Sequence, residues 1–223
     1  GGGAGPAAIA ALATLPERRS WFAAPMLVAE LGDDAGVIGA ATAAVNSKGR
    51  KRAVLVNGVP ASGKSAVARA ISDATGWPIL ALDTIKNPFL SVLPPGDRLF
   101  NRTLGRASYA AIFDLIADAP TGSNFVIDAW FGFQPLETLT DGLARAGLTD
   151  LAEVWCHAPP ETIGARYGTR LDKRPAGHPG ADYVPELIAL AGRAAPTGLA
   201  PRFDVDTALP LDLSALKGWL QRL

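Results

Sequence analysis

The sequence predicts an α/β fold, a parallel sheet of about five strands with helices on both faces, preceded by a short, mainly helical N-terminal segment. Three observations predict it. From Arg52 onward, short apolar runs alternate with helix-length amphipathic stretches. The first run, Ala53–Val56, leads into Gly58-Val59-Pro60-Ala61-Ser62-Gly63-Lys64-Ser65, and a helical pattern, Ala66–Ile71, follows at once. Apolar residues make up 48% of the 223, ample for a buried core.

The strands read in order as Ala53–Asn57, Pro78–Leu82, Asn124–Asp128, Glu153–His157 and Phe203–Asp206. A helix from Ser65 to Thr75 stops at Gly76, a residue suited to the left-handed position after a helix end. The next runs from about Arg98 to Ala119, with Leu104, Ala107, Ala111 and Leu115 as its apolar stripe. Gln134–Ala146 ends at Gly147, and Pro160–Tyr167 opens on a proline, which a helix start tolerates. The last helix carries Leu213, Leu216, Leu220 and Leu223 on one face. Gly168–Asp182, rich in Gly, Pro and Arg, reads as a lid.

The octapeptide fits G-x-x-x-x-G-K-[ST] at every fixed position, in the strand–loop–helix setting that the motif requires. Gly58 and Gly63 let the backbone turn tightly, so that N–H groups through Ala61, Ser62, Gly63 and on to Ala66 face a nucleoside triphosphate. Lys64 can reach its β- and γ-phosphates, and the Ser65 hydroxyl can complete a Mg²⁺ shell.

Three further features carry chemistry. Asp83 follows the second strand, where a parallel sheet opens on its ligand crevice. A carboxylate there can take the proton of an attacking hydroxyl; alternatively it caps a helix starting near Thr84. Asp128 ends the apolar run Phe125-Val126-Ile127, the form of a carboxylate that holds Mg²⁺ directly or through water, or else of a loop cap. Arg166, Arg170 and Arg174 are spaced by four, would share one face of a helix, and suit a phosphoryl group in flight; a solvated face is the alternative. Arg102 and Arg106 lie near the place of an acceptor and suit either an acidic or polyhydroxyl substrate or plain surface. His178 reads as a substrate contact or as turn structure, and Trp130, Phe131 and Phe133 as an aromatic acceptor wall or as core.

Gly58–Ser65, Asp83, Ile127-Asp128-Ala129, Arg166-Tyr167-x-x-Arg170 and Arg174-Pro175-x-x-His178-Pro179-Gly180 together resemble the P-loop kinases of the AAA_33 and chloramphenicol phosphotransferase-like group, relatives of gluconate kinases and zeta toxins. The resemblance covers residues 52–223 and implies a nucleotide-kinase-like fold, ATP, Mg²⁺ and transfer of the γ-phosphate to a hydroxyl. It places Asp83 where chloramphenicol phosphotransferase has its proposed base. It also sets Arg174 on the nucleotide, and Asp204-Val205-Asp206-Thr207 at the adenine-side loop.

Residues 1–46 are a separate part, joined through the polar stretch 47–52 to the domain 53–223. Glu30-Leu31-Gly32-Asp33-Asp34-Ala35-Gly36-Val37-Ile38-Gly39-Ala40-Ala41 resembles the C-terminal end of ROK-family sugar kinases and repressors, and Gly1-Gly2-Gly3 would match glycines that approach adenosine in that family. The family's phosphate-binding and catalytic segments are absent, so this part is not expected to phosphorylate a sugar by itself. An Ala-rich helical appendage is the competing reading of the same text. The first residues carry no signal-peptide features and no Met, and the chain is expected to begin inside a longer protein.

Lys+Arg and Asp+Glu both total 21, so no overall basic field favours nucleic acid or an anionic membrane. The lone Cys156 suits a reducing cytoplasm and reads as a buried thiol. The expected activity is ATP-dependent phosphorylation of a small-molecule hydroxyl, with a sugar or sugar derivative as acceptor. An antibiotic or nucleotide-sugar kinase, or a non-catalytic ATP-binding module linked to sugar sensing, are the alternatives.

Overall fold

The computed structural model describes residues 49–175 and 177–222. The segment 1–46, with its resemblance to sugar kinases, lies outside the described residues.

The chain runs β1 (Lys51–Asn57), α1 (Lys64–Thr75), β2 (Ile79–Ala81), α2 (Leu82–Val92), α3 (Arg98–Asp118), β3 (Asn124–Ala129), α4 (Leu136–Arg145), β4 (Leu148–His157), α5 (Pro160–Gly168), α6 (Val184–Ala191), β5 (Arg202–Asp206) and α7 (Leu213–Leu220). All five strands are parallel, in the order β2-β3-β1-β4-β5. β1 is central and apolar along its whole middle, as a strand covered on both faces must be.

Because successive strand residues point to opposite faces, β1 divides its side chains between two cores. Ala53 and Leu55 join Ile127 and the α3 and α4 residues Tyr109, Ile112, Phe113, Leu139 and Leu143. Val54 and Val56 join Val126 and Val154 with Val67, Ala68 and Ile71 of α1 and Leu216 and Leu220 of α7. Helices therefore cover both faces, as expected.

Several local readings are corrected. β1 begins at Lys51, inside the stretch expected to be linker. The Lys51 ammonium is buried and donates to the carbonyls of Ile116 (2.7 Å) and Ala117 (2.8 Å) at the end of α3, and to Ala146 (3.4 Å) just past α4. It thus neutralises the negative ends of two helices. Arg52 pairs with Asp150 at 2.8 Å, on a β4 that starts five residues before the expected Glu153.

The stripe expected on α3 is displaced: its inner face is Gly105, Ser108, Tyr109, Ile112, Phe113 and Ile116, and Leu115 is exposed. Alternative apolar stripes at helical spacing exist along α3, and the aromatic pair Tyr109–Phe113, edge-on at 5.2 Å, takes the core. Neither α2 as a full helix nor α6 is expected from the sequence. α2 follows β2 without a loop and contains Pro88, and α6 opens directly from a single 3₁₀ turn, Ala181–Tyr183.

Among the described residues no helix is long and apolar enough to cross a membrane. Cys156 is buried, and burial pushes its thiol up to about 12, too high for a nucleophile at neutral pH.

Candidate active site

The chain leaves β1 for the edge strand β2 and leaves β3 for β4 on the opposite side of β1. The two connections part above neighbouring strands, which opens a crevice at their carboxyl ends. The Gly58–Ser65 loop fills the β1 side of it. A Cβ at Gly58 would fall on Ser62 Oγ and stand 2.5 Å from the Cys156 carbonyl oxygen, so only glycine fits. Gly63 caps α1 with φ 87°, and Ala61 holds φ 63°, the one left-handed non-glycine among the described residues. Such backbone costs about 1–3 kcal/mol and persists where surrounding structure enforces it. Here the loop is tied by the Ser62 N–H to the Val59 carbonyl (3.1 Å) and by the Thr207 hydroxyl to the Ser62 carbonyl (2.8 Å).

Parallel register sets Asp128 level with Val56 on one side and Ala81 on the other. Its carboxyl group is buried, and Oδ1 has no hydrogen-bond partner. Burial raises its pKa, while the Lys64 ammonium and the Ser65 hydroxyl pull it back. An orphaned carboxylate oxygen beside Ser65 and Lys64 is a group awaiting a ligand, and one carboxylate with one hydroxyl fits Mg²⁺, which takes its remaining oxygens from phosphates and water. Among the described residues no cluster of three or more His, Cys, Asp or Glu offers an all-protein metal site.

Asp83 lies in the first turn of α2, two residues beyond β2, and the N-cap position belongs to Ala81. The helix-cap alternative is therefore corrected: Asp83 caps nothing. Its Oδ1 stands 3.6 Å from the Lys86 ammonium, on a lysine that is itself buried. Partial desolvation of its half-exposed carboxyl would raise the Asp83 pKa, but the cations Lys86, Lys64 and Arg174 outweigh it and hold the carboxyl below the ordinary range. Lys86 is in turn lowered, chiefly by burial. His178 is pushed down to about 4 by burial and by Lys86 and Arg174, so its ring is neutral at pH 7; its Nε2 pairs with Asn87 Oδ1 at 2.9 Å.

The three lid arginines do not share a helix face, which corrects the sequence reading. α5 ends at Gly168, Arg170 follows in a turn, and Arg174 is extended. Gly, Pro and Asp in the segment let the chain break away after one more turn. Arg166 donates to the Thr207 hydroxyl (2.9 Å) and carbonyl (2.8 Å), joining α5 to the loop after β5 and, through Thr207, to the phosphate loop. Arg170 is exposed. Arg174 lies over the Tyr167 ring at 4.5 Å, and Tyr167 donates to the Pro179 carbonyl at 2.8 Å.

One cavity of about 1010 Å³ is lined by Lys64, Ser65, Asp83, Lys86, Asp128, Arg174 and His178, and also by Asn101, Arg102 and Arg106 of α3. Arg166, Arg170 and Thr207 are not part of its lining. Sequence reasoning missed Lys86, Tyr167, Asn101 and Gln134. The spacing of Asp83 and Lys86 by three on a helix was a usable signal for the first. Tyr167 stands inside the Arg166-Tyr167-x-x-Arg170 text that carries the family resemblance, and nothing local marks Asn101 or Gln134.

Solved structures resemble this fold. A kinase candidate from Chloroflexus aurantiacus J-10-fl aligns with a TM-score of 0.64 at 23% identity, over 78% of this chain and 97% of that one. Deoxyadenosine kinase from M. mycoides gives 0.52 at 15%, over 77% and 100%. Shikimate kinase from Acinetobacter baumannii gives 0.51 at 13%, over 81% and 96%. No match is found among curated proteins. These likenesses establish a P-loop kinase-like fold and lend no support to a sugar-kinase origin for residues 1–46. The model of the family described as an AAA domain (AAA_33) matches residues 54–182, the phosphate loop through the lid and more than half of the chain, and the chain belongs to that family.

Proposed function

We propose that this protein moves the γ-phosphate of ATP to a hydroxyl of a small molecule, a sugar or sugar derivative. One observation carries the reading: a single cavity is lined both by the phosphate loop with Asp128 and by Asp83 with the α3 side chains. At about 1010 Å³ it stands at the top of the range for ligand pockets, room for a nucleotide and a second substrate together. The sugar class rests on the text of residues 1–46.

In this reading Gly58, Ala61 and Gly63 turn the loop backbone around the phosphates, the Ser62 and Ala66 N–H groups being bonded to the Val59 and Gly63 carbonyls, and Lys64 supplies a point charge to the β- and γ-oxygens. Ser65 and Asp128 would hold Mg²⁺, which when bound neutralises charge developing on the phosphates. Thr207 and Arg166 brace the nucleotide side of the loop. Arg174, which lines the cavity, supplies guanidinium charge to the phosphoryl group during transfer, while Arg166 and Arg170 lie outside its lining. Asp83 accepts the proton as the acceptor oxygen bonds to the γ-phosphorus and the bond to ADP breaks. Its neighbouring cations keep it ionised; weak basicity suffices, because the transition state is loose and positioning dominates.

The test is ADP release by the full chain with Mg²⁺ and ATP against neutral sugars, sugar acids, sugar phosphates, aminoglycosides and nucleosides, with Lys64→Ala as control. Acceptor-dependent release that the folded Lys64→Ala variant lacks supports the reading. Tight ATP binding with no turnover on any acceptor refutes it in favour of a binding module.

A further inference from the structure

The cavity lining holds seven Lys and Arg side chains against three carboxylates. Asp128 faces the phosphate loop, and Asp83 sits beside Lys86. Glu186 accepts both oxygens' worth of contact from Arg98, at 2.6 and 2.7 Å. Arg69 of α1 has no ion-pair partner among the described residues, nor do Arg102 and Arg106, which stand one helical turn apart on α3. In the same lining, Asn101 Oδ1 and Gln134 Nε2 are buried and lack hydrogen-bond partners.

Buried amide atoms without partners are costly, and a ligand in the cavity that reached them would relieve that cost. Oδ1 requires an O–H or N–H, which a hydroxylated ligand offers. Nε2 requires an oxygen acceptor. Two guanidinium forks in a concave site with surplus positive charge fit planar or tetrahedral anionic oxygens better than a neutral ring. The nucleotide does not account for them, since its phosphates are served by the loop, Lys64 and Arg174 in the reading above.

We infer that the acceptor is a hydroxylated anion, a sugar acid or sugar phosphate, whose charged group is held by Arg102 and Arg106 while Asn101 and Gln134 bond its oxygens. This deepens the phosphotransfer reading and rests on it.

The experiment separates the two. Titration calorimetry of the full chain with Mg²⁺ and a non-hydrolysable ATP analogue would use matched sets: glucose, gluconate and glucose 6-phosphate; ribose, ribonate and ribose 5-phosphate; glycerol, glycerate and glycerol 3-phosphate. In at least one set the anion should bind tenfold or more tightly than its neutral parent, and the carboxylate and phosphate arms show which anion it is. Arg102→Gln/Arg106→Gln should weaken that binding by about 10–100-fold without changing affinity for the ATP analogue. Arg106→Gln alone gives the same readout should the double variant fail to fold. Neutral members binding as well as anions in every set, or variants binding the anion like the parent, would overturn the inference. ADP release with ATP in place of the analogue, against the same acceptors, tests the underlying reading: an anion bound through these arginines but never phosphorylated refutes transfer and leaves the subsite standing.

Discussion

Replacing Asp83 by Asn removes one proton acceptor and one negative charge while keeping the side chain's shape. The structure sets the cost in stability. Ala81, not Asp83, is the N-cap of α2, so no cap is lost. The contact with Lys86 is long, 3.6 Å, and the Asp83 side chain is 53% exposed, which places the pair in the range of about 0.2–1 kcal/mol. Loss of a carboxylate from the first turn of a helix adds about 0.3–1 kcal/mol. Together these lower the melting temperature by a few degrees, since 1 kcal/mol corresponds to about 2–4 °C at this chain length. Loss of a general base costs about 10²–10⁴ in turnover, some 3–5 kcal/mol of barrier, well outside the stability effect. Melting temperature, ATP affinity and kcat measured on one Asp83→Asn preparation separate the two. A folded variant that binds ATP and keeps the parent's kcat refutes the catalytic role of Asp83.

The remaining predictions concern the groups around it. Lys86→Met removes the nearest cation, so the Asp83 pKa rises; the acid limb of kcat/KM, lying below the ordinary 3.8 in the parent, should move to higher pH, and an unmoved limb would exclude Asp83 as the titrating group. Because the folded pKa of Asp83 is depressed, its contribution to stability is present above pH about 4 and lost as pH falls through the folded value; melting curves of parent and Asp83→Asn should therefore converge in acid. Arg166→Ala cuts the tie from α5 to the phosphate loop and should weaken ATP affinity along with kcat, an unchanged affinity refuting that brace, while Arg170→Ala, at an exposed side chain outside the cavity lining, should change neither.

Much of the fold was legible because parallel sheets write themselves plainly. Strands covered on both faces must be apolar throughout, so Ala53–Val56 and Phe125–Ile127 stand out, and the glycine at 76 ends its helix visibly. α3 was harder: its apolar residues offer more than one stripe, and only packing against β1 and β3 selects the one with Tyr109 and Phe113. The lid arginines show the limit of spacing arguments, since four-residue periodicity means a shared face only while the helix lasts, and α5 stops at Gly168.

The sequence by itself determined the phosphate loop, because its function resides in consecutive backbone groups and in Lys64 and Ser65 next to them. It also determined that Asp128 sits at a strand end and Asp83 just beyond one, since those ends converge on one edge of any parallel sheet. Only the tertiary structure decided what surrounds them. Arg174 and His178 reach Asp83 from the segment after α5, far along the chain, and Asn101 and Gln134 line one cavity from more than thirty positions apart. Electrostatic environment and unsatisfied polar atoms depend on distance through space, and that is fixed only when the helices pack.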